Sequence, residues 1–243
     1  AFSPTEKGHF ADIRILNSAN LEPNLESLQL PARGLAAYRN ALHSKEGLVV
    51  MTGGTGSGKS TTLATGLLEL QKTTNHSKNI VTVENPVECV LPDMAQSSIN
   101  PAHGFDWDDG IQVMLRQNPD VIEVGETNDP KTAKAVTRAA TTGHLVFTTI
   151  HANNTLEVSN ALKQYGVSPQ DLANALRLIV FQTLENRLCE CKHIRSVTPS
   201  EKAWLDKNLL TNVEIAVVNE HNPNGCENCK HTGFKGRVLL AEM

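Results

Sequence analysis

Apolar positions in the first 150 residues come in short blocks that alternate between two periods. Residues 47–52, GLVVMT, form a continuous apolar run, the pattern of a buried parallel strand. The next segment, STTLATGLLELQK at 60–72, carries Leu63, Leu67, Leu68 and Leu70 near helical spacing. The order then repeats. NIVTVE, VIEVG and LVFTTI read as strands, and DDGIQVMLRQN and DPKTAKAVTRAATTG as helices. The first of these helices is stopped by Pro119. Upstream, FADIRILNS alternates as a strand does, and a polar link over 21–34 leads to the helix RGLAAYRNALHS. Strands alternating with helices predict an α/β fold with a mostly parallel sheet.

After residue 150 the periodicity turns helical. NNTLEVSNALKQYG has an Asn cap and ends at Gly166. SPQDLANALRLIVFQTLENRL opens with Ser168 as cap and Pro169 at the first helical position. Leu172, Ala175, Leu176, Ile179, Val180 and Leu184 then predict one long helix through residue 188. Thr198 and Glu201 stand in capping-box spacing at the start of a further helix. GRVLLAEM, at the end, reads as a strand. The chain opens on Ala1 and stops within that strand, so it is expected to be a piece of a longer protein.

Between the strand at 47–52 and its helix lies TGGTGSGKST, which fits G-x-x-x-x-G-K-[ST] from Gly53 to Ser60. Gly53, Gly54, Gly56 and Gly58 allow a tight turn. With Thr55 and Ser57 between them, they can aim successive N–H groups at phosphate oxygens. The helix beginning near Lys59, Ser60 and Thr61 presents its positive end to the same anion. Lys59 is expected to reach the β- and γ-phosphates and the Ser60 hydroxyl to ligate Mg²⁺. The alternative, a glycine-rich turn that binds nothing, fits poorly with a flanking strand and helix. Glu84 and Glu126 follow the next two strands, where a parallel sheet collects its ligands. They are candidates for orienting water and holding Mg²⁺, against the plainer reading of solvated loop charges. His144 and His151 bracket LVFTTI and suggest γ-phosphate sensing or subunit coupling near the nucleotide edge; packed or capping histidines are the plainer alternative.

Composition narrows the choice. A net charge of −4 gives no domain-wide basic surface for nucleic acid. No run is long and apolar enough to span a bilayer, and no signal peptide opens the chain. Cys189 and Cys191, then Cys226 and Cys229, make two close pairs with the look of a four-thiolate zinc site; four reduced thiols are the alternative. Five cysteines without a secretory signal fit a reducing compartment. Cys89 reads as a small packed residue.

The phosphate loop, VTVENPVE, LRQNPDVIEVGETNDPKTA and TTGHLVFTTIHANN come in the order and spacing of the type II/type IV secretion ATPases, which the chain resembles over about residues 10–243. The resemblance implies a RecA-like C-terminal ATPase domain at 35–243, in which the P-loop NTPase core is followed by a helical region and a small cysteine-bearing, zinc-binding insertion at 187–236. Residues 1–20 would be the end of a preceding N-terminal domain. It implies an ATP-hydrolysing homo-hexamer at the cytoplasmic face of the inner membrane, acting on a platform protein to assemble a pilus or pseudopilus. Nucleic acid is not an expected partner. Glu84 would be the general base and Glu126 the Walker B residue. His144 and His151 match the histidine box, and Arg14 would approach nucleotide across a subunit boundary. The sequence departs from the family in having Asn85 and Asn118 for Asp, and Asn128 for Arg. Its first cysteine pair is C-x-C rather than C-x-x-C, which brings His193 and His231 forward as substitute ligands. Four cysteines are typical of the extension-type branch.

Other readings compete. A small-molecule kinase would need a lid rich in arginine, and no such segment is visible. A RecA-like nucleic-acid translocase conflicts with the acidic balance. A nucleotide-binding scaffold with little turnover is kept open by the asparagines.

Overall fold

The computed structural model describes residues 2–6, 8–11, 24–208 and 215–243. Arg14 and most of FADIRILNS lie outside them. The described chain divides into two compact units, residues 1–183 with 239–243, and Leu184–Val238.

The first unit opens with an antiparallel pair, β1 (Phe2–Thr5) and β2 (Gly8–Ala11). Then follow α1 (Ala32–Leu42), β3 (Gly47–Thr52), α2 (Lys59–Thr73), β4 (Ile80–Glu84) and β5 (Ala95–Ser98). After these come α3 (Trp107–Leu115), β6 (Val121–Val124), α4 (Pro130–Thr141), β7 (Leu145–Ile150), α5 (Thr155–Gln164), α6 (Pro169–Ala175) and β8 (Leu176–Leu188), whose residues from Leu184 on belong to the second unit. The second unit holds β9 (His193–Ser196), α7 (Pro199–Asn208) and β10 (Val217–Glu220). The chain ends with β11 (Phe234–Glu242).

Seven strands form one sheet in the order β11, β8, β3, β7, β6, β4, β5. The pairs from β8 across to β5 are parallel. Parallel strands are covered on both faces, which is why GLVVMT and LVFTTI are apolar throughout and buried at all six positions. One face of the sheet, with Leu48, Val50, Val81, Val83, Ile122, Val124 and Val146, packs on α3, α4, α5 and α6. Alternation turns Met51, Thr82, Glu123 and Phe147 to the other face. On that side Tyr38 of α1 is fully buried and donates to the Thr62 carbonyl at 2.9 Å. Gly66 makes room for it, since a Cβ there would lie 2.1 Å from the Tyr38 hydroxyl.

The long helix expected over 168–188 is corrected. Its start is as read: the Ser168 Oγ accepts the Asp171 N–H at 3.0 Å, and Pro169 is the first helical residue. The helix stops at Ala175, and residues 176–188 are a strand. Positions 172, 175, 176, 179, 180 and 184 fit a helical stripe, but the stretch from 176 to 181 is equally a continuous apolar run. Two facts decide between them. Ile179 and Val180 are β-branched, and β3 would otherwise leave one row of backbone groups unpaired. Residues 176–181 supply the missing parallel partner.

In the second unit, β9 and β10 pair antiparallel. The capping box forms as the spacing predicts, with the Glu201 carboxylate accepting the Thr198 N–H at 2.8 Å. Arg195 holds the same carboxylate with two bonds, of 2.8 and 2.7 Å.

Candidate functional site

The loop from Gly53 to Gly58 joins the end of β3 to the start of α2. Gly53, Gly56 and Gly58 take φ of 139°, 74° and 90°, a region that only glycine enters without strain. Gly53 has a second reason: a Cβ would fall 2.2 Å from the Gln182 carbonyl on β8. Thr55 and Gly54 are exposed at the crest, Ser57 is buried, and Ser60 and Thr61 face solvent at the head of α2. Lys59 Nζ bonds the Gly53 and Gly54 carbonyls, each at 2.9 Å. Burial lowers its pKa, and the nearby charge of Glu88 opposes that. Exchange of those two carbonyls for phosphate oxygens would keep the ammonium fully bonded.

Glu84 ends β4 and Glu126 follows β6, at the same carboxyl edge of the sheet as the loop. The Glu84 Oε1 accepts from Thr82 Oγ1 at 2.6 Å and from Gln96 Nε2 at 3.1 Å. Glu126 accepts from Asn128 Nδ2 at 3.1 Å, so the residue that replaces the family's Arg still tethers this carboxylate. The Thr127 and Thr148 hydroxyls bond each other at 2.8 Å, and Thr149 donates to the Gly125 carbonyl at 2.7 Å. These fix the turn that carries Glu126. His151 joins the same edge. The Thr52 hydroxyl donates to the Ala152 carbonyl and accepts the Ala152 N–H, tying the residue after His151 to the start of the phosphate loop.

His144 is not at that edge. It precedes β7, whereas His151 follows it. A seven-residue step at about 3.3 Å per residue sets them roughly 20 Å apart, on opposite edges of the sheet. His144 Nδ1 instead lies 3.1 Å from the Ala139 carbonyl at the end of α4. Cys89 is also corrected. It is half-buried in the loop after β4, not packed in the core.

Three functional candidates escaped sequence reading. Gln182 is fully buried on β8, and its Nε2 donates to the Ser57 carbonyl at 2.8 Å. It thus holds one end of the phosphate loop by its side chain and crowds the other with its backbone. Gln96 is the second. Glu123, on β6, is the third: a carboxylic acid at 7% exposure among apolar neighbours. Burial first, then the Glu84 charge, push its pKa up to about 8 from 4.5.

That shift has a consequence for stability. The folded chain keeps a proton that the unfolded chain releases above about 4.5. Stability from this group is therefore complete below that pH and is lost as pH rises through about 8. Glu123→Gln is expected to stabilise the protein at pH 9, relative to its effect at pH 5, by on the order of a few kcal/mol. Urea midpoints at the two pH values check this. An equal effect at both would show that Glu123 is not held neutral.

In the second unit, the Sγ atoms of Cys189, Cys191, Cys226 and Cys229 all lie within 4.8 Å of one another. Three separations are 3.7, 4.0 and 3.8 Å, for Cys189–Cys226, Cys191–Cys229 and Cys226–Cys229. Ligands at about 2.3 Å in a tetrahedron stand about 3.8 Å apart, so the cage fits zinc. Burial disfavours the Cys229 thiolate, but the Cys226 and Gly233 N–H groups and the neighbouring thiols outweigh it and bring its pKa down to about 6. The shorter C-x-C spacing does not displace a ligand. The substitutes His193 and His231 stay outside the cage: His193 is exposed on β9, and His231 Nδ1 lies 3.2 Å from the Asn224 carbonyl.

The likeness to known proteins runs through both units. The model of the type II/IV secretion system protein family matches residues 1–243. The type IV pilus assembly ATPase PilB of Pseudomonas aeruginosa is 37% identical over 240 residues, 99% of this chain and 41% of PilB. The type II secretion system protein E of Aeromonas hydrophila is 32% identical over 241 residues, 99% of this chain and 46% of that protein. The chain thus spans less than half the length of these relatives. Among solved structures, the Legionella pneumophila ATPase DotB superposes with a TM-score of 0.60 at 34% identity, over 68% of this chain and 47% of DotB. The pilus retraction motor PilT with bound ADP superposes with a TM-score of 0.59 at 32% identity, over 69% of this chain and 50% of PilT. With its α/β P-loop core and a match from end to end, the chain belongs to the type II/IV secretion system protein family.

Proposed function

We propose that this chain is the motor part of an ATPase that drives assembly of a type IV pilus or a type II secretion pseudopilus. One observation carries the reading. A phosphate loop, two tethered carboxylates and His151 share one edge of a parallel sheet, in a chain whose relatives are named secretion and pilus ATPases. Residues 53–61 bind the phosphates of ATP. Ser60 and Glu126 hold Mg²⁺, which neutralises charge on the transferring phosphoryl group. Glu84 takes the proton of the attacking water. His151 senses the γ-phosphate, while His144, on the far edge, serves coupling between elements or subunits.

Working as a homo-hexamer, with Arg14 contributed across the subunit boundary, fits a ring of such sites. Its partner is a membrane platform protein, and its place is the cytoplasmic face of the inner membrane. Among the described residues no helix is long and apolar enough to cross a membrane. The four-cysteine unit supports an extension-branch reading, in which Zn²⁺ would be a structural ion.

The test is steady-state hydrolysis by the full-length protein, with ring size followed by light scattering. Mg²⁺-dependent turnover is expected from a hexamer. Lys59→Ala is expected to abolish turnover and to weaken ATP binding by about a hundredfold or more, the loss of a charge-assisted contact in a partly dry site. Tight ATP binding without any turnover would replace the motor by a nucleotide-gated scaffold. Turnover stimulated by DNA in a salt-dependent way would replace it by a translocase.

A further inference from the structure

The segment between β4 and β5, residues 85–94, is fastened to the sheet edge by side chains of β5. The Ser98 hydroxyl accepts the Val87 N–H at 3.1 Å. Gln96 does more. Its Oε1 accepts the Leu91 N–H at 2.6 Å, and its Nε2 donates to the Cys89 carbonyl at 3.0 Å. The second proton of that same Nε2 goes to Glu84 Oε1 at 3.1 Å. The amide therefore has a partner for both protons and for its oxygen. With N–H and C=O partners on opposite sides, only one orientation satisfies them all.

The consequence for Glu84 is specific. Gln96 and Thr82 both donate to Oε1, and Thr82 is itself fully buried. Two donors on one oxygen restrain the carboxylate and leave Oε2 free of them. The other end of the same amide holds the 85–94 segment, in which Leu91 is buried and Val90 is 80% exposed. Glu88 of that segment acts electrostatically on Lys59. The segment thus bears on both the base and the phosphate lysine, and one side chain connects it to the base.

We propose that Gln96 is a positioning residue for hydrolysis, whose amide locks the 85–94 segment and the Glu84 carboxylate into one unit, so that lifting the segment unseats the base. This rests on Glu84 being the base. It assigns no contact to substrate for Gln96 itself. A displacement of about 1 Å in a reacting group can cost about a hundredfold in rate, so a lost clamp should appear in kcat. Binding of ATP to residues 53–61 does not pass through it.

Two variants of the full-length protein separate positioning from packing. Gln96→Leu removes all three bonds. Gln96→Glu keeps the shape and an acceptor for the Leu91 N–H; facing Glu84 it can share a proton with that carboxylate, so it is assayed at a pH where both are ionised and it donates to neither Glu84 nor Cys89. Both are expected to lower kcat by roughly ten- to a hundredfold, with KM for ATP within about threefold of wild type. Hydrogen exchange at Leu91 should speed up in Gln96→Leu and stay slow in Gln96→Glu. Glu84→Gln is run beside them. If it abolishes turnover while both Gln96 variants keep wild-type kcat, the clamp is wrong and the base stands. If Gln96→Glu keeps wild-type kcat and only Gln96→Leu falls, Gln96 is a packing residue and the proposal is overturned. If Glu84→Gln turns over normally, the base assignment falls and takes the clamp with it.

Discussion

Glu84→Gln is expected to lower kcat for ATP by about 10² to 10⁴-fold, the usual range for losing a general base, while ATP still binds. The geometry separates these two effects. Under the proposed function, phosphate binding is assigned to the loop from Gly53, whose backbone turns and lysine lie on the β3–α2 connection. Glu84 stands three strands away in the sheet, at the end of β4, with β7 and β6 between. Its Oε1 is taken by Thr82 and Gln96. An amide at this position keeps the volume and can still accept from both donors, so folding and binding should persist. It cannot take a proton from water. Kinetics with single-turnover quench, beside equilibrium binding of a fluorescent ATP analogue, measure the two quantities. Glu88→Gln is the necessary comparison, because Glu88 is the carboxylate that acts on Lys59. If Glu88→Gln loses turnover and Glu84→Gln keeps it, the base lies four residues further along the same segment.

How much of this was legible in sequence differs between elements for physical reasons. The core from β3 to β7 was readable because parallel strands are apolar at every position and their helices are periodic. Nothing tertiary had to override either pattern. β8 was not. Its residues satisfy a helical stripe and a strand run equally, and the deciding fact is an open hydrogen-bonding edge on β3, a property of a segment far earlier in the chain. The same blindness hid Gln182, which looked like one polar residue on a helix and is the side chain that holds Ser57. His144 and His151 were correctly placed at the two ends of a strand. That both lay near nucleotide does not follow, since a strand has two ends and a parallel sheet gathers ligands at one. Glu123 did carry a signal. A carboxylate inside VIEVG, a run too short and too apolar to leave either face wet, has to be neutral, paired or strained. Gln96 carried none, because AQSS is a weak strand and its value lies in what the amide reaches.

Removing zinc from the full-length protein is expected to unfold residues 184–238 outright. Among the described residues of this unit, the buried apolar side chains are Cys189 and Cys229. The sulfurs are thus the core, and a segment of this size has little apolar burial to set against the entropy of ordering it. Structural zinc supplies apparent free energies of about 10–16 kcal/mol in small cysteine-rich peptides. The 3.7–4.0 Å Sγ separations show that the chain brings four thiols to tetrahedral spacing despite the short C-x-C arm. Protein purified without chelator should carry one zinc per chain by elemental analysis, and Cys226→Ser should lose most of it. Hydrogen exchange after chelation should rise across 184–238. It should change far less across β3, β6 and β7, which draw on their own core of Val50, Ile122, Val146 and their neighbours. Exchange in 184–238 that ignores both the chelator and the serine would mean that four reduced thiols suffice, and that the cage is packing. Zinc without protection would mean a bound ion that does not hold the fold. Only loss of metal and loss of structure together make the ion a structural part of this chain.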